Sequence, residues 1–200
     1  MDLMDILSDE FYEMQRCELK KRLKPKRYEH SLGVAHTAEA LAQRFCVDVA
    51  KARLAGLLHD WDKCYSAEAI QERARVFQVD VLPEVIDEMP QVLHGFTAAC
   101  ALQEQFPELP ADVVQAIRLH TTGALIMDDL AKIIFVADVI EPHRDFPGVE
   151  ELREIAKTRS LDELYFCTYR SGLRNLIDQG QRIFPGSLDV WNNLVDYGRA

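Results

Sequence analysis

Cationic side chains are in short supply in this 200-residue chain. Lysine and arginine together number 23, against 33 aspartates and glutamates, so the formal net charge is -10. Binding to nucleic acid or to an anionic membrane without sequence preference depends on a surplus of cations. The charge balance therefore argues against a nucleic-acid-binding protein and against a protein that binds membrane surfaces.

Long apolar stretches and a secretory leader are also missing. No apolar run approaches the roughly 20 residues that a membrane-spanning helix requires. The opening residues, MDLMDILSDEFYEM, lack the basic start and the small-residue cleavage site of a signal peptide. The five cysteines are odd in number, scattered and without a C-x-x-C pair. These features predict a cytoplasmic protein with reduced thiols.

Glycine and proline are sparse, at nine and eight residues, and no linker, repeat or low-complexity tract is visible. Apolar residues recur every three or four positions, whereas the two-residue alternation typical of strands is almost absent. Two helix starts are predicted by capping residues: one at Asp48, and one at Ser160, which forms a capping box with Glu163. The run at 133–137 could be a buried strand, but the length of its apolar surroundings favours a helix. We therefore predict an all-α bundle of about nine helices.

The strongest chemical signal is the adjacent pair His59 and Asp60. The residues before the pair are mostly small or apolar, which predicts that it lies at the buried end of a helix. Burying a histidine and a carboxylate is costly unless something neutralises them. Imidazole and carboxylate ligands together suit Fe, Mn, Co, Ni or Zn.

Four more residues extend this pattern. His30 precedes an apolar helical stripe, while His94 and His120 stand at the edges of helical segments. Asp138 interrupts LAKIIFVADVI, the most hydrophobic stretch of the chain, where an unpartnered carboxylate would become neutral. Any single one of these residues is more often a cap or a satisfied polar group than a ligand. Their joint order predicts a metal site in the core of a helical bundle, from which we leave out His36 and His143.

A family resemblance accompanies this pattern. The chain resembles the HD-domain superfamily of metal-dependent phosphohydrolases and, more closely, the YqeK family, over roughly residues 20 to 196. The strings that carry the resemblance are KRYEHSLGV at 26–34, AGLLHD at 55–60, LHG at 93–95, AIRLHTTG at 116–123, KIIFVADVIEP at 132–142, FPGV at 146–149 and IFP at 183–185. The resemblance leaves residues 1–20 as an N-terminal helical extension. The cluster of proline and glycine at 142–148 predicts a surface loop or a boundary between an HD-domain core at 21–148 and a helical tail at 149–200 packed on the same domain.

The resemblance also implies an activity and a set of ligands. Members of this family cleave diadenosine tetraphosphate symmetrically, which yields two ADP. Carried over by motif, one metal would be held by His30, His59, Asp60 and Asp138. A second metal would be held by His94 and His120, with Asp60 bridging the two. The family is associated with iron, although the ligand types equally permit manganese, cobalt or nickel.

Hydrolysis of a phosphoanhydride suits such a centre, because a metal lowers the pKa of bound water and neutralises phosphoryl charge. We assign catalytic roles to Asp60 and to Lys63, which follows it by three residues and can face the same cleft. Arg27 and Arg144 are candidates for the outer phosphates, since a guanidinium grips phosphate at two points.

Several neighbours of these residues receive other interpretations. Thr121, Thr122 and Gly123 follow a ligand at a predicted helix end, where hydroxyls and main-chain amides can contact phosphate. Asp62 could pair with Lys63 or orient a histidine, and Glu141 could pair with Arg144. Cys64 could bind iron, but its position is simpler to explain as packing at a helix end.

Other functions stay open at this stage. HD-domain proteins include nucleoside monophosphatases, alarmone hydrolases, cyclic nucleotide phosphodiesterases and iron oxygenases. The Gly-Tyr-Pro element of the cyclic-di-GMP branch is missing, and alarmone synthetase–hydrolases are much longer. A non-catalytic nucleotide-sensing module is a further alternative, disfavoured because all the ligand positions and Lys63 are present. On family analogy we expect a homodimer that acts on a small nucleotide substrate.

Overall fold

The computed structural model describes residues 5–197, which form eleven α-helices and a 3-10 turn without any strand. The elements are α1 Asp9–Arg22, α2 Pro25–Phe45, α3 Val49–Leu58, α4 Ala67–Val76, α5 Pro83–Glu88, the 3-10 turn Pro90–Val92, α6 Leu93–Gln105, α7 Ala111–Leu119, α8 Asp129–Ile140, α9 Val149–Thr158, α10 Leu161–Asp178 and α11 Ser187–Tyr197. The predicted all-α class is confirmed. The helix count exceeds the predicted nine because elements such as α5, bounded by two prolines, are too short to show helical periodicity.

Helices α2, α3, α7 and α8 pack against one another at the centre of the bundle. Eight of the twelve residues of helix α8 are buried, among them Ile133, Ile134 and Val136. A helix that is apolar on all sides is stable only when it is surrounded by others. The ambiguous run at 133–137 is therefore helical, as its length suggested.

A glycine lets α2 and α3 approach closely. A Cβ atom built on Gly56 would lie only 2.9 Å from the Cα atom of Ala35. Any larger residue would push these two helices apart. The predicted ligands would move with them, because His30 lies on α2 and His59 and Asp60 directly follow α3.

Side-chain caps begin several helices where the sequence predicts them. Asp48 accepts a hydrogen bond from the main-chain nitrogen of Lys51 at the start of α3. Ser160 and Glu163 form a complete capping box at the start of α10. Such caps satisfy amide groups that the helix itself leaves unpaired.

Both ends of the described chain contribute to one core. Phe11 and Leu19 of α1, and Leu164 and Val190 of the last two helices, belong to the same buried cluster as the central helices. The division at residues 20 and 148 stays a prediction. None of the helices within residues 5–197 combines the length and the apolar character that crossing a membrane requires.

Candidate metal centre

The six predicted ligands meet in one cluster. His30 lies on α2 and Asp138 in the last turn of α8, while His94 lies in the first turn of α6. His59 with Asp60, and His120, directly follow the ends of α3 and α7. Five of the six are buried and Asp138 is half-buried, so residues from five separate segments share one enclosed space.

The two oxygens of Asp60 face different pairs of histidines. Its Oδ2 atom lies 3.4 Å from the Nε2 atom of His59 and 3.8 Å from that of His30. Its Oδ1 atom lies 3.2 Å from the Nε2 atom of His94 and 3.9 Å from that of His120. Asp60 therefore stands between two groups of nitrogen ligands.

Asp138 belongs to the first of these groups. Its Oδ1 atom lies 3.0 Å from the Nε2 atom of His30 and 3.9 Å from that of His59. These three residues have ligand atoms close enough to share one ion, and so do His59, Asp60 and His120.

Three of the histidines are oriented by the main chain. The Nδ1 atom of His59 donates to the oxygen of Gly56 at 2.7 Å, that of His120 to Ile117 at 2.7 Å, and that of His94 to Gln91 at 2.9 Å. Each acceptor lies three residues earlier, where the end of a helix or turn leaves a carbonyl available. A carbonyl can only accept, so the proton is on Nδ1 and the Nε2 lone pair faces the centre.

His30 is oriented by a carboxylate instead. It lies inside α2, where the main-chain carbonyls are used by the helix, and its Nδ1 atom lies 3.0 Å from Oε1 of Glu141. The other oxygen of Glu141 accepts from the main-chain nitrogen of His143 at 2.7 Å and lies 2.9 Å from its Nδ1 atom. The predicted pairing of Glu141 with Arg144 is therefore wrong, because its carboxylate is already shared by two histidines.

Within residues 5–197, two of the four histidine nitrogens that point inward lack a hydrogen-bond partner, and the other two face each other. The Nε2 atoms of His30 and His59 are buried and make no hydrogen bond of acceptable geometry with the described residues. The Nε2 atoms of His94 and His120 lie 3.0 Å apart, although both are acceptors when Nδ1 carries the proton. Buried acceptors turned towards one another are unfavourable without a cation between them. The donor set therefore fits bound metal ions.

Burial and neighbouring charges set the ionisation of the centre. Burial by itself raises the pKa of the Asp60 carboxyl, but His59 and His94 outweigh it and hold that pKa well below its usual range. Asp138 has its pKa lowered in the same way, against burial, chiefly by His30. Burial, reinforced by His94 and His59, lowers the pKa of His120 to about 3. Burial lowers the pKa of His59, but Asp60 outweighs it and raises that pKa. Ionised carboxylates and a neutral imidazole, as at His120, are the forms that bind metal.

The predicted cations surround this centre. The Nζ atom of Lys63 lies 3.2 Å from Nδ1 of His94, and burial lowers the pKa of this lysine. Arg27 donates to Oδ2 of Asp60 at 2.9 Å. Arg144 donates to Oδ1 of Asp138 at 2.5 Å and to its main-chain oxygen at 2.8 Å. All three lysine and arginine side chains line one cavity, which also contains Asp60, His94 and Asp138.

The residues after His120 separate into two groups. The hydroxyl of Thr121 lies 3.1 Å and 3.3 Å from the Nε2 atoms of His120 and His94, and Thr122 lines the cavity beside it. Gly123 instead faces α10, and a Cβ atom there would lie 2.7 Å from the hydroxyl of Tyr165. Its amide already donates to Leu119 at 2.9 Å. The structure thus places Gly123 away from the phosphate-binding position expected for it.

Asp62 anchors the loop that carries Asp60 and Lys63. Its buried carboxylate pairs with Arg73 of α4 at 3.0 Å and lies 3.6 Å from Arg22 of α1. The interpretation of Asp62 as a partner of Lys63 or of a histidine is therefore wrong. The two other histidines and Cys64 stay outside the ligand groups, and His36 and Cys64 are exposed.

One wall of the cavity escaped the sequence analysis. Residues from the end of α10, the following loop and the start of α11 line it together with the ligands; they are Leu176, Gln181, Arg182, Phe184 and Ser187. None of these residue types signals chemistry by itself, and their position depends on how the tail folds back onto the bundle. Only the IFP string at 183–185 drew attention to this segment.

Comparisons with known proteins agree with this arrangement. A family model described as the HD domain matches residues 27–143. A Bacillus subtilis protein named bis(5'-nucleosyl)-tetraphosphatase, symmetrical, is 35% identical over 178 residues, which are 88% of this chain and 94% of that protein. A protein of the same name from Halalkalibacterium halodurans is 38% identical over 179 residues, with 88% and 93% covered.

A solved structure has the same fold over nearly its whole length. It is a protein from Clostridium acetobutylicum that is described as a predicted HD superfamily hydrolase involved in NAD metabolism. It aligns with a TM-score of 0.86 at 35% identity and covers 93% of this chain and 97% of that one. The family match spans more than half of the chain and contains all six predicted ligands. The chain therefore belongs to the HD domain family.

Proposed function

We propose that this protein hydrolyses dinucleoside tetraphosphates, diadenosine tetraphosphate above all, between the two central phosphates to give two nucleoside diphosphates. Two curated relatives that match most of the chain are named for this symmetrical reaction. The observation that carries the proposal is the division of four histidine nitrogens between the two oxygens of Asp60. Such a division suits two ions held side by side by one carboxylate.

His30, His59 and Asp138 would hold one ion, His94 and His120 the other, and Asp60 would contact both. Metal ions bound there supply an activated water and neutralise charge on the attacked phosphate. We propose iron in both positions, because the family resemblance favours it. Manganese, cobalt and nickel are compatible with the same ligands.

The chain's own cations complete the site for a polyphosphate. Lys63 lies beside His94 and lines the cavity, where its ammonium group can neutralise the oxygens of the leaving nucleoside diphosphate. Arg27 and Arg144 currently pair with Asp60 and Asp138. When those carboxylates bind metal, the guanidinium groups are available for the outer phosphates. The hydroxyl of Thr121 can donate to a phosphate oxygen.

The remaining expectations are part of the same proposal. The boundaries at residues 20 and 148, the cytoplasmic location, the homodimer and the lack of binding to nucleic acid rest on the sequence and on family resemblance. Sedimentation analysis of the metal-loaded protein tests the homodimer. A gel-shift assay with duplex DNA and RNA tests whether nucleic acid binds.

Product analysis tests the reaction. Protein purified without oxygen and assayed for metal is given diadenosine tetraphosphate, ATP, AMP and an alarmone in parallel. ADP as the sole product of the first substrate supports the proposal. AMP together with ATP, or a preference for the monophosphate or the alarmone, contradicts it. The Asp60→Asn variant, purified in the same way, controls for contaminating hydrolases.

A further inference from the structure

The cavity at the metal centre continues well beyond it. One part is lined by ligands and cations, and the other by the tail residues 176–187 and by residues 89–92 next to the 3-10 turn. The tail residues lie outside the segment that matches the HD domain, residues 27–143. The tail side of this half is thus built outside the HD-domain match, whereas residues 89–92 lie within it and Gln91 also orients His94 through its carbonyl.

The chemistry of this half is unlike that of the metal centre. Its walls include Met89 and Val92, which are buried, and Leu176 and Phe184, which are half-buried. Apolar and aromatic walls cannot neutralise phosphate, but they suit the flat faces of a nucleobase. Gln91, Gln181 and the buried Ser187 add polar groups that can meet base edges or ribose hydroxyls.

The tail is tied to the metal centre by defined contacts. The hydroxyl of Tyr169 lies 3.3 Å from the main-chain oxygen of Thr122 and 3.4 Å from that of Ser187, and so links the two walls. The ring of Phe184 lies 6.2 Å from that of Phe96 on α6, the helix that carries His94. These contacts hold the aromatic wall at a set distance from the ligands.

The cavity is small for a dinucleotide. Its volume is about 310 Å³, at the lower end of the roughly 300–1,000 Å³ of ligand pockets. An exposed ion pair between Arg182 and Glu88, with 2.6 Å between nitrogen and oxygen, joins the tail to the end of α5 beside it. This space suits one nucleoside with its phosphates, and the second nucleoside of a dinucleotide would have to lie outside it.

We propose that residues 176–187, together with residues 89–92, form a binding subsite for one nucleoside of the substrate, with Phe184 against the base, and that the second nucleoside stays outside the cavity. This inference rests on the proposed function for the identity of the substrate. The subsite itself recognises a nucleoside diphosphate, which is half of that substrate and also its product.

Binding of ADP and of pyrophosphate to metal-loaded protein separates this subsite from the phosphate site. We expect Phe184→Ala to raise the Kd of ADP about tenfold, the scale of losing one base–aromatic contact. The Kd of pyrophosphate should stay unchanged, because it has no base. Phe184→Tyr should restore ADP binding. Leu188→Ala is the matched control, since Leu188 lies outside the proposed subsite, is exposed and does not line the cavity.

Each result bears on the proposal. An unchanged Kd for ADP in Phe184→Ala, or an equal loss for ADP and pyrophosphate, would overturn it. If circular dichroism shows that Phe184→Ala is misfolded, Phe184→Leu takes its place with the same two ligands, because leucine keeps the apolar packing. In one further outcome, the wild-type protein fails to cleave dinucleotides while Phe184→Ala still weakens the binding of ADP and not that of pyrophosphate. That pair of results would refute the proposed function and leave the subsite standing.

Adenosine 5'-tetraphosphate tests whether only one nucleoside is held. Water adds to one of its two central phosphorus atoms, the oxygen bridge between them breaks, and ADP and pyrophosphate leave. If the second nucleoside lies outside the cavity, the kcat/KM for adenosine 5'-tetraphosphate should stay within about tenfold of that for diadenosine tetraphosphate. This ratio corresponds to less than about 1.4 kcal/mol of transition-state binding. A larger loss would mean that both nucleosides are bound, and would overturn this part of the proposal.

Discussion

Oε1 of Glu141 lies 3.0 Å from Nδ1 of His30, on the side of the imidazole ring that faces away from the metal centre. The other three ligand histidines donate to main-chain carbonyls, so His30 alone among them depends on a side chain for its orientation. Glu141 is 1% exposed, and its second oxygen accepts from His143. The carboxylate therefore fixes both the tautomer and the direction of His30.

We expect Glu141→Gln to weaken metal binding about 10- to 100-fold, the usual cost of losing a group that orients a metal ligand. Both oxygens of Glu141 accept hydrogen bonds, so an amide in its place turns an NH2 group towards a donor in either orientation. Competition with a chelator measures the affinity. Asp145→Asn, an exposed change of the same type four residues later, should leave the affinity unchanged.

A result in which both variants bind metal equally would remove Glu141 as a positioning residue. Circular dichroism of Glu141→Gln separates a local effect from misfolding. If the change acts through His30, a higher metal concentration should restore the occupancy of the site and kcat, while the Kd for metal stays raised.

Asp60→Asn should lose metal from both positions together with activity. The two Asp60 oxygens face different pairs of histidines, so both groups of ligands lose a charged oxygen in this variant, and only Asp138 is left as a carboxylate, on the side of His30 and His59. Elemental analysis after purification measures the metal content, and diadenosine tetraphosphate turnover the activity. His36→Ala is the control, because His36 is exposed on the same helix as His30. Full metal content in Asp60→Asn would contradict the bridging role.

The sequence was informative where chemistry depends on local context. His59 and Asp60 follow an apolar helix, and Asp138 interrupts an apolar stretch, so their burial and need for a partner are visible in the order of residues. Together with the family resemblance, such signals identified all six residues that the structure brings together. The same local signals, periodicity and capping, predicted the helices of the bundle.

Contacts between distant segments could not be predicted in this way. Glu141 and His30 are 111 residues apart, and their hydrogen bond exists because α2 packs against α8. The partners of Asp62 are set by α1 and α4, which the sequence alone does not place beside the loop. Phe184 reaches the cavity through the fold of the tail, and a phenylalanine in a tail carries no signal that it faces a site.

Lys63→Ala should keep metal but lose about 100- to 1,000-fold in kcat/KM, the range for removing one group that stabilises transition-state charge. Lys63 makes no ion pair of 4.0 Å or less within the described residues, and its ammonium group lines the cavity. The matched control is Lys26→Ala, an exposed lysine at the start of α2. Elemental analysis and steady-state kinetics measure the two properties separately. An unchanged kcat/KM in Lys63→Ala would exclude it from the reaction.

Gly123→Ala should destabilise the fold more than the same change at Gly180. Both glycines have positive φ angles, 66° and 62°, a conformation that costs an alanine about 1–2 kcal/mol. Only Gly123 is crowded, since a Cβ atom there would meet Tyr165 at 2.7 Å and Tyr169 at 2.9 Å, whereas no atom lies within 4 Å at Gly180.

The free energy of unfolding in urea measures the difference. We expect a loss of about 1–2 kcal/mol for Gly180→Ala from backbone strain alone, and about 1–3 kcal/mol more for Gly123→Ala from overpacking. Gly172→Ala, at an open position inside α10, should instead stabilise the protein by about 1 kcal/mol. Equal losses at positions 123 and 180 would show that α10 moves aside without cost. In that case Tyr169 would no longer be expected to hold Thr122 and Ser187 together rigidly, and the wall formed by the tail would be adaptable.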